Sequence, residues 1–439
     1  MNIHPNRRTF LKSIFVAGSA PWLVPARVLG ADGATKPSNQ VTLGVIGVGA
    51  QGRSDLQDFL RHKDVRVTAI CDVNKRNVES ARGHIAKAYG SPEVKVFTDF
   101  RELNAEASID AVLMALPVHW HSLPALDAIL HGKHIYHEKP MALSFEEARR
   151  VRAVARKQRI VFQFGTQQRS DTKFRWACEL ALNGRLGKLN EIRVSVPGGR
   201  QGPLFPEQAV PDYLDWNRWV GPAPLTPFHE AKLQRDNHEN ITNFSLGMIS
   251  CWGIHHLDIA QWGNGADETG PRTVEGEGDF PKEGSLDAIL RWKVRFTYAK
   301  AAPMIFVSDG TTGFEDGIRF LGESAWVHVR RGAIFTADDK EGFLRDPQNQ
   351  CGKMPLKLPV SQEHTRNFVD AIKQGGRAIC DIETAVRSDT LCQLAHLAVK
   401  QGRKLQWDPV AEHFIDDAAA NAMLEPRAFR GEWKLPPAS

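Results

Sequence analysis

An apolar run from Val41 to Ile46 breaks into glycines at positions 47, 49 and 52, with Gln51 in the same turn. A strand that turns into a helix in this way aims backbone N–H groups at an anion. Gly47 permits the tight turn, Gly49 lets the backbone approach a pyrophosphate, and Gly52 allows close helix–strand packing. A glycine triplet alone is a weak pattern. Its weight comes from a second β-type run, Val65 to Cys71, which ends at Asp72, twenty residues past Gly52. That spacing sets a carboxylate against an adenosine ribose, the plainer alternative being a helix cap. Asp72 favours a free ribose hydroxyl and hence NAD. Lys75 and Arg76 offer partners to a 2′-phosphate, so NADP stays open as the less favoured cofactor.

Two further β-type runs end in reactive or ring-bearing clusters. The first, Ile109 to Leu116, leads into Pro117 and His121; the second, around His134 to His137, leads into Glu138, Lys139 and Pro140. Ligands in parallel sheets bind at the carboxyl ends of strands. Lys139 follows a strand expected to be buried and precedes a proline that fixes the turn, which separates it from an ordinary solvated lysine. A third cluster holds Trp252, His255, His256 and Asp258 on a helical stretch. Adjacent helical residues point about 100° apart, so one histidine is expected to face the reacting centre. Asp258 either orients His255 or supports the helix. Arg169 and Tyr213 lie in loop-like stretches where polar groups and aromatic rings suit sugar hydroxyls and C–H faces, or equally anchor a surface loop.

The elements that must hold these residues follow from the pattern of runs. Strand and helix alternate through the first part, predicting a doubly wound parallel sheet, an α/β Rossmann domain over residues 41–165. From Gly187 the pattern turns β-rich, with runs at Lys188–Val196, Thr273–Phe280, Leu286–Tyr298, Met304–Ser308 and Gly317–Val329. These predict an α+β domain over residues 166–410 with a large, mostly antiparallel open-faced sheet. Helices are expected near Ser361–Gln374 and Glu383–Lys400, with a C-terminal extension over 411–439.

The first 31 residues differ from the rest. They hold Arg7, Arg8, Lys12 and Arg27, no acidic residue, and an apolar stretch from Ile14 to Val24. That stretch is shorter than the roughly 18 to 20 residues that span a bilayer. Arg7 and Arg8 before Thr9, Phe10, Leu11 and Lys12 resemble a twin-arginine export signal, followed by a linker at 32–40. Without the signal the formal net charge of +5 drops to +1. A near-neutral mature chain argues against a nucleic-acid groove or an anionic membrane partner and suits a polar neutral substrate. The six cysteines lack paired spacing, so neither a metal site nor essential disulfides are expected.

The motifs GVIGVGAQG, PVHWH, GKHIYHEKP and WGIHHLDIA, together with the Asp72 strand end, strongly resemble the Gfo/Idh/MocA family of sugar and cyclitol oxidoreductases over residues 41–262. The resemblance implies that Lys139 lies beside the nicotinamide and the reacting hydroxyl, and that His255 serves as an acid/base. It implies cofactor contacts from Gly47, Gly49, Gln51, Gly52, Asp72, Pro117, His121, Glu138 and Lys139. Substrate contacts are expected from Arg169, Tyr213, Trp252 and His256. The chain departs from the family pattern at Cys251, where many relatives carry an aspartate, and at Leu116 and Val118. Either Lys139 and His255 suffice, or another acceptor from the Pro/Trp-rich stretch 197–229 takes the aspartate's place.

Export constrains the chemistry, because a released cofactor would need a pool outside the cytoplasm. The expectation is an exported, periplasmic or extracytoplasmic oxidoreductase that retains NAD(P) and acts on a sugar, polyol or cyclitol, as a homo-dimer or homo-tetramer. One alternative is an NAD-dependent glycosidase working by transient oxidation, elimination and re-reduction. The other is a non-catalytic sugar-binding protein.

Overall fold

In the computed structural model, which describes residues 39–308, 313–314, 316–336 and 354–436, the first sheet is built from β1 (Val41–Ile46), β2 (Val65–Cys71), β3 (Lys95–Phe97), β4 (Ala111–Met114), β5 (His134–His137) and β6 (Phe162–Phe164). All neighbours pair in parallel, in the order β3-β2-β1-β4-β5-β6. Every residue of β4 is buried and β1 is nearly so, as befits strands covered by helices on both faces. The order reverses between β1 and β4, which opens a crevice at the strands' carboxyl ends. The glycine turn, Pro117 and Lys139 all leave the sheet at that edge.

The second sheet contains β7 (Leu189–Val196), β8 (Thr273–Asp279), β9 (Arg291–Thr297), β10 (Met304–Ser308), β11 (Gly317–Gly322), β12 (Trp326–Arg330), β13 (Ala333–Thr336), β14 (Leu405–Asp408) and β15 (His413–Phe414). Its order is β13-β12-β11-β7-β10-β9-β8-β14-β15, antiparallel except for the β7–β10 pair. On β9 buried Trp292, Val294 and Phe296 alternate with exposed Arg291, Lys293, Arg295 and Thr297, the signature of a sheet with one covered and one open face. Helices Thr172–Leu182, Gly253–Gly263 and Ile382–Gln401 pack on the covered face. All eleven residues of Gly253–Gly263 are buried, so its histidines and aspartate must find partners inside the protein.

Residues from Val41 onward form one unit, and a continuous apolar core joins Val112 and Ile135 of the first sheet to Val194 and Phe306 of the second. The run Gly317–Val329 folds as a hairpin of two strands instead of one, and the run from Leu286 becomes a strand only at Arg291. Before that point Asp287 and Ala288 donate their N–H groups to the Asn240 carbonyl. The expected C-terminal extension contains β15 and the helix Ala418–Ala422. The twin-arginine stretch and Cys351 lie outside the described residues; the other five cysteines are buried and unpaired. Among the described residues no helix is long and apolar enough to cross a membrane, and no group of His, Cys, Asp or Glu could hold a metal ion.

Candidate active site

The turn after β1 is shaped by what its glycines face. Gly47 has a φ of +83°, and a Cβ there would meet the Ala115 carbonyl; a Cβ on Gly52 would collide with the Gly47 carbonyl oxygen. A Cβ on Gly49 would meet nothing within 4 Å. Gly49 is also the N-cap of helix Ala50–Leu60, and no side chain caps that helix. The helix therefore presents free N–H groups to an open space, an arrangement that attracts an anion.

That space is a groove lined by Gly47, Gly49, Gln51, Asp72, Asn77 and Pro117 on the first sheet's crevice, and by Glu138 and Lys139 beyond them. Asp72 accepts from the Val48 N–H at 2.9 Å and the Asn74 N–H at 2.8 Å, with Asn77 at 3.4 Å. Burial pushes its carboxyl up, against the pull of those donors. Lys75 turns to the Asp212 carbonyl and Arg76 stacks on Tyr213 at 3.7 Å; neither lines the groove. Gln51 donates to Asp55 and accepts from Arg235, while Gln167 donates to Glu138 at 2.8 Å. Burial raises the Glu138 carboxyl even with Lys139 adjacent.

Lys139 is 7% exposed. Its Nζ donates to the Cys251 carbonyl at 3.2 Å and stands 3.9 Å from the Glu239 carboxylate. Glu239 also pairs with Arg235 at 2.9 Å. Burial alone would push the Glu239 carboxyl up, but Lys139 and Arg235 outweigh it and hold the group below the usual carboxylate range. Cys251 offers its backbone, not its side chain: its thiol meets Ser245 at 3.1 Å and is pushed up by burial to about 12.

One turn beyond Cys251 the two histidines part. His255 is buried with its Nδ1 unpartnered. Burial first, then the charges of Lys139, Arg331, His256 and Arg235, push its imidazole well below the ordinary value. His256 bonds Asp316 through Nε2 at 2.9 Å and Gln168 through Nδ1 at 3.3 Å. With its amide turned to suit these neighbours, Gln168 also donates to the His255 carbonyl and accepts from Arg331. Trp252 lies edge-on to His255 at 5.5 Å and under the Arg331 guanidinium at 4.5 Å.

Two family models match this chain: "Oxidoreductase family, NAD-binding Rossmann fold" over residues 41–166, and "Oxidoreductase family, C-terminal alpha/beta domain" over residues 198–435. The chain belongs to the Gfo/Idh/MocA oxidoreductase family. It is 34% identical over 165 residues to an alpha-N-acetylgalactosaminidase of Shewanella oneidensis, a match covering 33% of this chain and 35% of that protein. The chain spans 24% to 35% of the length of the first curated relatives it matches. In fold it is similar to scyllo-inositol dehydrogenase of Lactobacillus casei with NAD(H) and scyllo-inositol, at 18% identity and a TM-score of 0.58, over 84% of this chain and 99% of that one. It is likewise similar to the WlbA dehydrogenase of Bordetella pertussis with NADH and UDP-GlcNAcA, at 16% identity and a TM-score of 0.62, over 83% and 98%.

Within this Gfo/Idh/MocA chain, three expected contacts are corrected. Arg169, 2% exposed, is occupied by the carboxylates of Asp258 and Asp267, both at 2.8 Å, so it braces the core and not a substrate. Asp258 is thereby engaged as a structural partner, with Ser388 donating to it at 2.6 Å. The His121 ring faces the Leu116 carbonyl at 2.7 Å and the Pro140 carbonyl on its other side. It ties together the turns that carry Pro117 and Lys139 without lining the groove. Tyr213 lies against the turn after β2, its carbonyl accepting from Lys75 and its ring under Arg76, and it does not line the groove.

Sequence reasoning missed Arg235 and Glu239, which open and cap the four-residue helix Arg235–His238, and Asp316 and Arg331, which flank the hairpin of the second sheet. None belongs to an element long enough for a periodicity to mark it. Glu239 lies outside the Pro/Trp-rich stretch 197–229, the expected source of a replacement acceptor.

Proposed function

We propose that this protein is an exported NAD-dependent oxidoreductase acting on a hydroxyl of a sugar, polyol or cyclitol, with Lys139 and His255 handling the proton. The observation that carries the reading is the Lys139 ammonium, buried at the end of the crevice between the Cys251 carbonyl and the Glu239 carboxylate, in the same groove as the glycine turn. The groove's residues fit a nicotinamide dinucleotide: Gly49 leaves room for a pyrophosphate at an uncapped helix terminus, and Asp72 with Asn77 offers hydroxyl acceptors. Because Lys75 and Arg76 are engaged outside the groove, NAD is favoured over NADP. When bound, NAD supplies the two-electron acceptor.

The chain's own part is the proton. Lys139 Nζ, once it has given up a proton, takes the one leaving the substrate hydroxyl; in the reverse direction the ammonium returns it to the carbonyl oxygen. Glu239 supplies the counter-charge that keeps the ammonium aimed. His255, which burial and the neighbouring cations hold neutral, has among the described residues no partner for its Nδ1 and so offers a second acceptor. Scyllo-inositol and UDP-GlcNAcA, bound by the structural neighbours, are the model for a polyhydroxylated substrate. The outward residues of β9 leave the second sheet's open face available to a homo-dimer or homo-tetramer. An exported enzyme must keep its cofactor, so NAD retention is part of the proposal.

The test presents purified protein with polyols, sugars and glycosides, without added cofactor and then with added NAD. Near-ultraviolet absorbance of reduced nicotinamide is expected with one sugar class and not in Lys139→Ala. Failure to bind any nicotinamide would overturn the reading. A second reading, an NAD-dependent glycosidase, is favoured by the match to the Shewanella oneidensis enzyme. It would release the aglycone of a glycoside without net accumulation of reduced cofactor.

A further inference from the structure

We propose that the segment Arg427–Leu435 is a strap that closes the adenosine end of the cofactor groove, with Trp433 as its contact on the cofactor. The inference rests on the reading that this groove holds NAD. Trp433 comes from the far end of the chain, yet it lines the groove together with Asp72, Phe100, Trp120 and Arg218. Its ring stands edge-on to Trp120 at 4.8 Å and tilted against Phe100 at 6.1 Å. Asp72 and Phe100 follow β2 and β3, on the opposite side of the sheet's switch point from Lys139. With a pyrophosphate at Gly49, that is the side an adenosine takes. Aromatic side chains there offer a planar base the ring surface that water cannot.

The strap is fastened to the wall it completes. Arg430 donates to the Asn217 side chain at 2.8 Å and to the Gly221 and Ala223 carbonyls at 3.1 and 3.2 Å. The same loop fixes Trp120, whose Nε1 donates to the Trp219 carbonyl at 2.9 Å; Gly221, at a φ of +51°, leaves no room for a Cβ against that indole. On the other flank Arg101 lies over the Trp433 ring at 5.0 Å and 3.7 Å from Glu432. Glu432 and Gly431 are exposed, and the strap is neither helix nor strand. A segment held by a few side-chain bonds and by one backbone bond to the wall, from the Arg430 N–H to the Pro222 carbonyl at 2.9 Å, opens locally at a lower cost than a strand inside a sheet. Such a strap can lift to admit NAD and, when seated, slow its departure.

The experiment measures the rate at which bound NADH leaves when displaced by excess NAD, followed by its fluorescence, in the full chain and in Trp433→Ala and Trp433→Phe. Stacking losses of this kind correspond to about a 5- to 150-fold change. The Trp433→Ala rate is expected to rise within that range, and Trp433→Phe to recover much of the difference. Melting of the cofactor-free variants checks that each is folded. An unaltered release rate in folded Trp433→Ala overturns the strap while leaving the oxidoreductase reading intact. A chain that binds no NADH overturns both. Neither outcome depends on identifying the sugar.

Discussion

The Lys139 ammonium and the Glu239 carboxylate stand 3.9 Å apart, both largely buried, and Glu239 is shared with Arg235 at 2.9 Å. The pair joins the turn after β5 to the C-cap of the short helix Arg235–His238, and it sets a carboxylate beside Lys139 where Cys251 turns only its backbone carbonyl. Replacing Lys139 with Ala is expected to lower turnover by roughly 10²- to 10⁴-fold, the usual contribution of a positioned proton carrier. Glu239→Gln leaves the lysine in place but releases its aim, and a loss of roughly ten- to a hundredfold in kcat is expected. Calorimetric titration with NAD checks that cofactor affinity is kept in both; a Glu239→Gln enzyme with unaltered kcat would remove Glu239 from this role.

His255 gives a pH prediction with a definite sign. Its imidazole is held well below its ordinary value of 6.5, first by burial and then by the cations around it. The neutral, proton-accepting form therefore persists as pH falls through the range in which an ordinary histidine would charge. The kcat/KM profile is expected to stay level between roughly pH 7 and 6, with any limb due to His255 appearing only at more acid pH. A limb centred near the ordinary histidine value that His255→Asn abolishes would contradict this environment.

Gly49 and Gly52 separate cofactor binding from folding. A methyl group on Gly49 enters open groove, whereas one on Gly52 strikes the Gly47 carbonyl. Gly49→Ala is expected to cost the cofactor-free protein at most about 1 kcal/mol, the scale of an N-cap change. It should still weaken NAD by tenfold or more, on the order of the loss of one good contact. Gly52→Ala should cost about 1–3 kcal/mol through overpacking even without cofactor. Paired measurements of melting temperature and NAD affinity distinguish the two; equal melting temperatures would mean that the Gly52 turn relaxes freely.

Gly47, Gly49, Gly52, Asp72 and Lys139 were legible in the sequence because each lies within a few residues of a strand end, where local spacing and sheet geometry act together. The divergence of His255 and His256 was legible for the same reason, since it follows from helical rotation alone. Arg235 and Glu239 reach the groove from a four-residue helix and its C-cap, and Trp433 from a segment that is neither helix nor strand, all too short or irregular for a periodicity to announce them. His121 shows the limit of a motif: it sits where relatives bring a histidine near the cofactor, but here its two nitrogens face the Leu116 and Pro140 carbonyls. The hairpin at Gly317–Arg330 was hidden because its two strands are nearly continuous in apolar character, with only Glu323 to Ala325 between them.

Arg169 is the position where a loop-borne arginine looked like a substrate contact and proved to be part of the core. Its guanidinium joins Asp258, which is 0% exposed, to Asp267, and Trp262 lies 4.9 Å from it. Arg169→Met keeps much of the side chain's volume but leaves the Asp258 charge buried with, among the described residues, only the Ser388 hydroxyl as a side-chain partner. Removing one member of a buried ion pair costs about 3–5 kcal/mol, so the urea midpoint should fall sharply while KM of the fraction that remains folded stays unchanged. The opposite result, an unaltered midpoint with a raised KM, would mean that the guanidinium leaves its carboxylates to meet the substrate.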